Sequence, residues 1–339
     1  MFFLLTLYEN NKYNLMKTFI AITLLLSIAI LISCNGKKAG LTPIKENSWT
    51  SPVTGKTYQL IFNDEFSDDN IDTRLWTYRG KGWTNTKTRT IKYNEKDVDI
   101  IATPDAVELS NGIMKLNVYR KKNAPSEIYT GGLATIDKFR PQYGYYETKV
   151  NFSECTNAWG YWPAFWIMYT FDWEDPVYSE YNMQQDATEI DIFEYIPLQD
   201  QMHYTLHWWI RDTSAHPVDI KGIHERIHTQ WDFPKSDEWH VAGLEWTPEE
   251  LIFYWNGEVK LRRPATEHPR HVPNAFEYVC FSMSAGTWGG NVADPANKLP
   301  ARCAFDYCRV YQQPEQKAYY KMPEYGNDWV LLTAKERVK

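Results

Sequence analysis

Residues 188–194 read Thr-Glu-Ile-Asp-Ile-Phe-Glu, a short apolar run that carries three acids. Alternate side chains of a strand share a face, so Glu189 and Asp191 point to one side. Acids on a buried strand cost free energy unless they have a task there. Glu194 falls on the opposite face of a regular strand, and one extra residue before it would bring it round. The run therefore predicts a bulged strand with three acids on one face.

Paired carboxylates on one strand face are suited to cutting glycosidic bonds. Glu189 and Glu194 can fill the two roles, because one attacks the anomeric carbon while the other protonates the leaving oxygen. A neighbouring negative charge raises the pKa of the acid and keeps it protonated near neutral pH. Two other interpretations are an edge strand with solvated acids and a strand that binds calcium. This short run leaves all three open.

Short strand-like runs separated by turn residues surround this segment. They begin at about Tyr58, and helical periodicity is scarce in the mature chain. One example is Leu251–Trp255, which precedes Asn256-Gly257, a good two-residue hairpin signal. Many short strands with regular turns favour a sandwich or jelly roll. We therefore predict an all-β fold.

Composition narrows the range of functions. The 339 residues include 15 Trp and 23 Tyr, and aromatic residues make up 16% of the chain. Indole rings suit sugar binding, because a pyranose has an apolar face, although core packing accounts for most such rings. The formal net charge is −7. This charge argues against nucleic acid as a partner, because phosphate binding requires a basic surface.

The N-terminal segment indicates export. From Met16, the expected true start, a basic residue and an apolar run lead to Leu31-Ile32-Ser33-Cys34. This order is typical of a secretory signal, and its end resembles a bacterial lipobox. The resemblance implies cleavage before Cys34 and acylation of its thiol, so we expect an exported lipoprotein in the periplasm or at the outer membrane. The alternative, a transmembrane anchor, needs about 20 apolar residues, and residues 19–32 are too few.

Segments along the chain resemble glycoside hydrolase family 16, whose bulged signature is Glu-x-Asp-x-x-Glu. Six further motifs occur in the family's order, and the resemblance covers roughly residues 58–312. They are Phe62-Asn63-Asp64-Glu65-Phe66, Tyr143-Gly144-Tyr145-Tyr146-Glu147, Tyr161-Trp162-Pro163-Ala164-Phe165-Trp166, His203-Tyr204-Thr205-Leu206-His207-Trp208 and the closing pair Gly286-Thr287-Trp288-Gly289-Gly290 and Phe305–Gln312.

We predict a signal over 1–34, a polar tether over 35–55, a catalytic domain over 56–315 and a C-terminal extension over 316–339.

The resemblance implies a β-jelly roll of two curved antiparallel sheets with an open substrate cleft. It also implies a retaining double displacement in which Glu189 is the nucleophile, Asp191 its partner and Glu194 the acid/base. No cofactor is implied for catalysis, and we expect a monomer. The motifs favour a β-1,3- or mixed-linkage glucan such as laminarin. Alternatives are an endo-hydrolase of a red-algal galactan (agar, porphyran or carrageenan type) and a non-catalytic glycan-binding lipoprotein.

Four further residues match positions that bind substrate in the family. Trp162 and Trp166 share one strand face by parity and can both stack on sugars, unless one of them lies in the core. His207 is expected beside Glu194, and Trp288 is expected in the cleft wall.

Some members of the family also carry a structural calcium ion far from the cleft. Glu65, the carbonyl of Gly112 and Asp306 match its ligands, and oxygen ligands suit calcium. The resemblance therefore implies a calcium site on the convex side.

Three departures from laminarinase-like members concern the substrate. Residues 130–133 read Thr-Gly-Gly-Leu where those members often have an arginine, and an insertion occupies residues 171–188. A segment near the start of the family's pattern is replaced by a basic segment in this chain. Two interpretations of its basic residues are contact with sulfate groups of a galactan and a solvated surface loop. Its basic residues are Lys81, Lys87, Arg89 and Lys92.

Overall fold

A computed structural model of the chain describes residues 48–79, 86–170, 188–209, 224–234 and 236–338. The predicted signal with Cys34, the cluster residue Lys81 and the insertion up to residue 187 lie outside the described residues. Within the described ranges, no helix is long and apolar enough to cross a membrane.

Strands dominate the described chain. Strands β1 to β22 span, in order, Ser48–Thr50, Thr57–Asp64, Thr77–Tyr78, Thr86–Tyr93, Lys96–Ala102, Val107–Ser110, Ile113–Lys121, Ala124–Thr130, Gly132–Ala134, Phe139–Pro141, Gly144–Asn151, Tyr161–Met168, Glu189–Ile196, Gln201–Trp209, His224–Asp232, Trp239–Trp246, Glu250–Trp255, Glu258–Pro264, Tyr278–Ala285, Ala301–Gln312, Lys317–Tyr320 and Val330–Thr333. Helix α1 spans Ala334–Arg337, and short 3-10 turns cover Pro104–Ala106 and Pro323–Tyr325.

The strands form two large sheets and one small one. The larger sheet has 12 strands along the path β18-β17-β16-β11-β20-β7-β8-β5-β4, joined by β1, β2 and β6. The second sheet has seven strands in the order β15-β14-β13-β12-β19-β9-β3, and the small sheet is β10-β21-β22. Neighbouring strands are antiparallel except for the parallel pair β5 and β8. The prediction of an all-β jelly-roll sandwich is confirmed.

Apolar side chains on the inner faces hold the two large sheets together. In the seven-stranded sheet, Phe165 stacks on Phe281, and Phe281 meets Phe305 of the larger sheet, each pair with ring centroids 4.8 Å apart. Phe193 meets Trp255 across the same interface at 5.8 Å. Burying one such ring contributes about 1.5–3 kcal/mol. Because strand side chains alternate, Ala164, Trp166 and Glu194 point to the opposite face, where the cleft lies.

The second half of the predicted tether is folded. Residues 48–50 form β1, which pairs with β2, and the Trp49 ring stacks on Tyr145 with centroids 3.6 Å apart. The tether prediction was therefore wrong from Ser48 onwards. A polar stretch of this kind looks unstructured in sequence because the partner strands that give it a place are distant along the chain.

A buried carboxylate explains why residues 51–54 are ordered. Glu245 is fully buried and accepts hydrogen bonds from four hydroxyl groups. Ser51 and Thr54 donate at 2.6 and 2.8 Å, and Tyr58 and Tyr254 each donate at 2.8 Å. A buried charge needs such donors, since leaving it short of them costs the full desolvation penalty.

A chain that begins at residue 56 is therefore expected to be less stable than one that begins at residue 46. It lacks two of the four donors to Glu245, which costs about 3 kcal/mol or more at 1.5–3 kcal/mol for each bond to a charged group. Urea unfolding followed by tryptophan fluorescence measures the difference. Thr50→Ala is the control, because its hydroxyl is at the surface. Equal stability of the two chains would contradict the role of Ser51 and Thr54.

The predicted C-terminal extension is also part of the folded unit, which runs from Glu46 to Lys339. Strand β21 pairs with β10 and with β22. Tyr319 packs edge-on against Phe276 with ring centroids 4.8 Å apart. The boundary predicted at residue 315 therefore separates segments that pack together.

Candidate active site

Strand β13 carries the predicted bulge. Two consecutive residues of β12 face Phe193 and Asp191 of β13. Ile192 lies between these two residues of β13 and has no partner on β12, so it is the extra residue of the bulge. The register with β14 also shifts between Asp191 and Glu194. As a result Glu189, Asp191 and Glu194 line one cavity, as strand parity with a bulge predicts.

This cavity is an open cleft of about 550 Å³ on the seven-stranded sheet. All seven residues predicted for catalysis and substrate binding line it: Glu189, Asp191, Glu194, Trp162, Trp166, His207 and Trp288. It is also lined by residues that sequence reasoning did not assign to substrate binding, and they are mostly basic or hydroxylic: Arg79, Arg89, Ala164, Thr205, Arg226, His228, Ser282, Ser284 and Thr287.

The two glutamates lie in different electrostatic surroundings. Burial and the charges of Asp191 and Glu189 raise the pKa of Glu194 well above its usual value, and Thr205 and Arg226 oppose this only in part. Burial and Asp191 also raise the pKa of Glu189, but His207 and Arg79 both favour its charged form. When two coupled acids share one proton, the acid with fewer nearby cations keeps it. The cations beside Glu189 therefore favour placing the shared proton on Glu194.

His207 links the nucleophile side of the site to Asp191. It faces Glu189 across the β13–β14 pair, and its Nε2 lies 3.3 Å from Asp191 Oδ2. Burial opposes a charged imidazole, but the hydrogen bond to Asp191 and the charges of Asp191 and Glu189 raise the pKa of His207 overall. Ligand atoms of these three residues lie within 4.8 Å of one another. Such a group could hold a cation, and it equally suits an acid pair held by a histidine.

Three tryptophans give the cleft its apolar surface. Trp162 and Trp288 meet edge-on with ring centroids 5.2 Å apart. Trp166 Nε1 donates to Ser282 Oγ at 3.2 Å, which fixes its ring. Both Trp162 and Trp166 line the cleft, and Trp166 also belongs to a buried hydrophobic cluster, so the core alternative describes part of its surroundings.

The basic wall formed by β15 was not found from sequence. In register, Arg226 faces His207 and His228 faces Thr205. His228 Nε2 lies 2.5 Å from Nδ1 of His203. A spacing of two between basic residues is a weak signal, and its meaning depends on which strand β15 pairs with.

The predicted basic cluster divides into two groups. Lys87 and Lys92 pair with acids of β5, at 3.5 Å from Asp99 and 3.2 Å from Asp97. Arg89, from the same strand, instead lines the catalytic cleft. All three residues are exposed, and only Arg89 also borders the cleft.

The predicted calcium ligands do not fit a metal site. The Glu65 carboxylate accepts two hydrogen bonds from Arg309, at 2.9 and 2.8 Å. The Asp306 carboxylate accepts from Lys149 at 2.6 Å. Gly112 lies in the turn between β6 and β7 with φ 76°. Each carboxylate already has a cationic partner, so binding calcium would require both ion pairs to open.

We accordingly expect calcium to have no effect on stability. A cation that binds only the native state raises Tm in proportion to its occupancy, and here Arg309 and Lys149 already occupy the acids. Thermal unfolding is measured with calcium, with EGTA, and with magnesium at equal ionic strength as the control. A calcium-specific rise in Tm would restore the predicted site.

A two-sheet jelly roll with a proton-sharing glutamate pair in a tryptophan-lined cleft defines the class of polysaccharide hydrolases. The model of glycosyl hydrolases family 16 matches residues 94–309, which is more than half of the chain. The chain belongs to this family. A model of the beta-glucan synthesis-associated protein SKN1/KRE6/Sbg1 also matches residues 14–173.

Curated relatives are distant and match about three quarters of this chain. A beta-glucanase of Rhodothermus marinus is 25% identical over 276 residues, covering 76% of this chain and 86% of that protein. Beta-porphyranase B of Phocaeicola plebeius is 19% identical over 292 residues, covering 77% of this chain and 87% of that protein. The structure of the endo-beta-1,3-glucanase from Pyrococcus furiosus superposes with a TM-score of 0.57 at 21% identity, covering 79% of this chain and 98% of that chain.

Proposed function

We propose that this protein is a retaining endo-β-glycosidase that hydrolyses a β-1,3- or mixed-linkage glucan by double displacement. One observation carries the proposal. Two glutamates on one bulged strand line the same tryptophan-walled cleft, burial and neighbouring acids raise the pKa of both, and His207 and Arg79 favour the charged form of Glu189. Such a pair supplies an acid and a nucleophile at the same pH.

In the first step, the glucan lies across the cleft with its scissile bond above β13. Protonated Glu194 gives its proton to the glycosidic oxygen as that bond breaks. The carboxylate of Glu189 attacks the anomeric carbon from the other side and forms a glycosyl ester. The leaving sugar chain departs with the proton, and Glu194 is left charged.

In the second step, a water molecule takes the place of the leaving chain. Glu194, now a carboxylate, removes a proton from the water, and the oxygen attacks the anomeric carbon. The ester to Glu189 breaks, and two inversions restore the β configuration. The hydroxyl of Thr205, 3.4 Å from Glu194 Oε2, assists the charged form of this acid.

Asp191 and His207 position the nucleophile. Asp191 is only 2% exposed, and its charge disfavours a second negative charge nearby, which keeps the proton on Glu194. His207 holds Asp191 at 3.3 Å and offsets part of this negative charge beside Glu189. Glu189 and Glu194 together with one water molecule supply every proton and electron pair in these two steps, which therefore need no cofactor.

The choice of glucan is supported by the relatives named beta-glucanase and by the tryptophan pair, which suits the apolar face of glucose. Incubation with a panel of laminarin, mixed-linkage glucan, agar, porphyran and carrageenan tests it, using a chain without residues 1–34. We expect new reducing ends from a glucan, and proton NMR of the first product should show the β anomer. Binding without cleavage of any member would instead support the glycan-binding alternative, and an α product would exclude retention.

We also propose that the protein is exported as a monomeric lipoprotein anchored through Cys34. The motif Leu31-Ile32-Ser33-Cys34 supports this proposal. In bacterial cells, labelled palmitate is expected to be incorporated into the protein and not into a Cys34→Ala variant. If the protein with Cys34 intact carries no label and is found in the soluble fraction, the proposed anchor is contradicted.

A further inference from the structure

A trough leads away from the catalytic strand across the seven-stranded sheet. In register, Glu194 faces Ala164 of β12, Ala164 faces Ser282 of β19, and Ser282 faces Gly132 of β9. Beyond these small residues lies Arg79, whose backbone N–H donates to the carbonyl of Gly132 at 2.9 Å. The floor of the trough is therefore made of small side chains, and it ends at an arginine.

Gly132 makes room for this arginine. A Cβ atom added there would lie 3.0 Å from Cβ of Arg79 and 2.9 Å from the carbonyl oxygen of Phe281. Contacts this short force neighbouring atoms to move, so a larger residue is excluded. The sequence Thr-Gly-Gly-Leu, which lacks the arginine often found in laminarinase-like members, thus accommodates an arginine from a different strand.

Two guanidinium groups meet in the trough. Arg79 Nη1 donates to Ser284 Oγ at 3.1 Å, with its Cζ 5.2 Å from the centre of the Trp166 ring. Arg89 Cζ lies 5.8 Å from the centre of the Trp162 ring. Trp162 and Ser284 are register partners, so both cationic groups are directed to the same part of the cleft.

Neither arginine forms an ion pair in the described chain, although the charge of Arg79 favours the charged form of Glu189. The ion pairs on the same strand as Arg89 engage Lys87 and Lys92 instead, and no ion pair in the described ranges includes Arg79 or Arg89. Burial and the charge of Arg79 lower the pKa of Arg89. Two like charges in a partly buried cleft repel each other, and an anion bound between them removes that cost.

We propose that Arg79 and Arg89 form a subsite for an anionic substituent of the glycan, a sulfate ester or a carboxylate. A planar guanidinium binds such oxyanions with two parallel hydrogen bonds. The subsite lies two strands from β13, which is about 10 Å at the usual strand spacing. The substituent therefore belongs to a sugar other than the one that Glu189 attacks. This inference rests on the proposed hydrolysis in the same cleft and extends its substrate class to acidic glycans.

Matched pairs of polysaccharides test the subsite with the full chain. One pair is a sulfated galactan and the same galactan after chemical desulfation, and the other is a carboxymethylated β-1,3-glucan and the unmodified glucan. The measured quantity is the ratio of kcat/KM for the charged member to that for the neutral member. In Arg89→Gln this ratio is expected to fall roughly tenfold or more, because a hydrogen bond between charged groups is lost.

Two further variants sharpen the result. Arg89→Lys keeps the positive charge but loses the planar guanidinium that makes two parallel hydrogen bonds. It should therefore give an intermediate ratio. Lys87→Gln, on the same strand but paired with Asp99, should keep the wild-type ratio. The pair with the larger wild-type ratio identifies sulfate or carboxylate as the group recognised, and added salt should reduce that ratio more in wild type than in Arg89→Gln.

An unchanged ratio in Arg89→Gln, or a preference of the wild-type protein for the neutral member of both pairs, would overturn the subsite while leaving hydrolysis intact. Cleavage of none of the four polysaccharides would overturn the proposed function instead. The subsite is then judged by titration calorimetry with the same pairs. Charge-selective binding that Arg89→Gln loses supports it, and equal binding of charged and neutral members refutes it.

Discussion

A Glu189→Ala variant is expected to lose activity on the order of 10⁶-fold in kcat, as happens when an enzyme loses its covalent nucleophile. The loss has a direct cause, because without this carboxylate no glycosyl ester can form and the double displacement has no first step. The measurement uses an aryl β-glycoside of a short glucan oligosaccharide. Folding is checked by Tm, since alanine at this position removes a desolvated acid and should not unfold the chain.

Azide distinguishes the nucleophile from every other role. The alanine side chain leaves a space beside the anomeric carbon, and a small anion can enter it and attack from the side that Glu189 occupied. The product is then an α-glycosyl azide, formed with a single inversion while Glu194 still acts as the acid. A β-glycosyl azide, or activity within tenfold of wild type, would remove Glu189 from the nucleophile role.

The catalytic strand could be predicted from sequence because its information is local. Parity places Glu189 and Asp191 on one face, and the apolar neighbours of Glu194 require a bulge to bring it there. The same local argument places Trp162 and Trp166 together on the cleft side. Each of these inferences needs only the period of a strand and the cost of burying an acid.

The residues that were missed depend on pairing between distant segments. Arg79 directly follows the two-residue strand β3, and its position follows from the hydrogen bond of its backbone N–H to Gly132 of β9. Arg226 reaches the cleft because β15 pairs with β14 in one register, and a shift of one residue would turn it away. Ser51 reaches Glu245 across 194 residues of sequence. Such registers are set by the whole sheet, so a single segment does not reveal them.

The predicted calcium ligands illustrate a related point. Glu65 and Asp306 match the family positions, but a carboxylate is available to a metal only if no neighbour occupies it. Arg309 and Lys149 lie on adjacent strands and supply positive charge directly. Sequence similarity identifies where an acid lies, whereas its partner is a property of the folded sheet.

A Glu194→Ala variant is expected to lose roughly 10²–10⁴-fold in kcat/KM on glucans, the usual contribution of general acid–base catalysis. The loss should nearly vanish in the first step for an aryl glycoside with a very acidic leaving group, because such a group departs without a proton. The second step still lacks its base, so the glycosyl ester on Glu189 should accumulate, and intact-protein mass spectrometry detects it. Thr205→Val is the matched control, since it removes only the 3.4 Å hydrogen bond to Glu194.

The pH profile of the same variant provides a second measure. Only protonated Glu194 can act as the acid, so wild-type kcat/KM falls as pH rises through its pKa, which burial and the charges of Asp191 and Glu189 raise well above the usual value. The variant has no such group and should lose this alkaline limb. Azide should restore its activity with a β-glycosyl azide as product, because the anion replaces water on the Glu194 side. An alkaline limb unchanged from wild type, or an α-glycosyl azide, would mean that another residue is the acid.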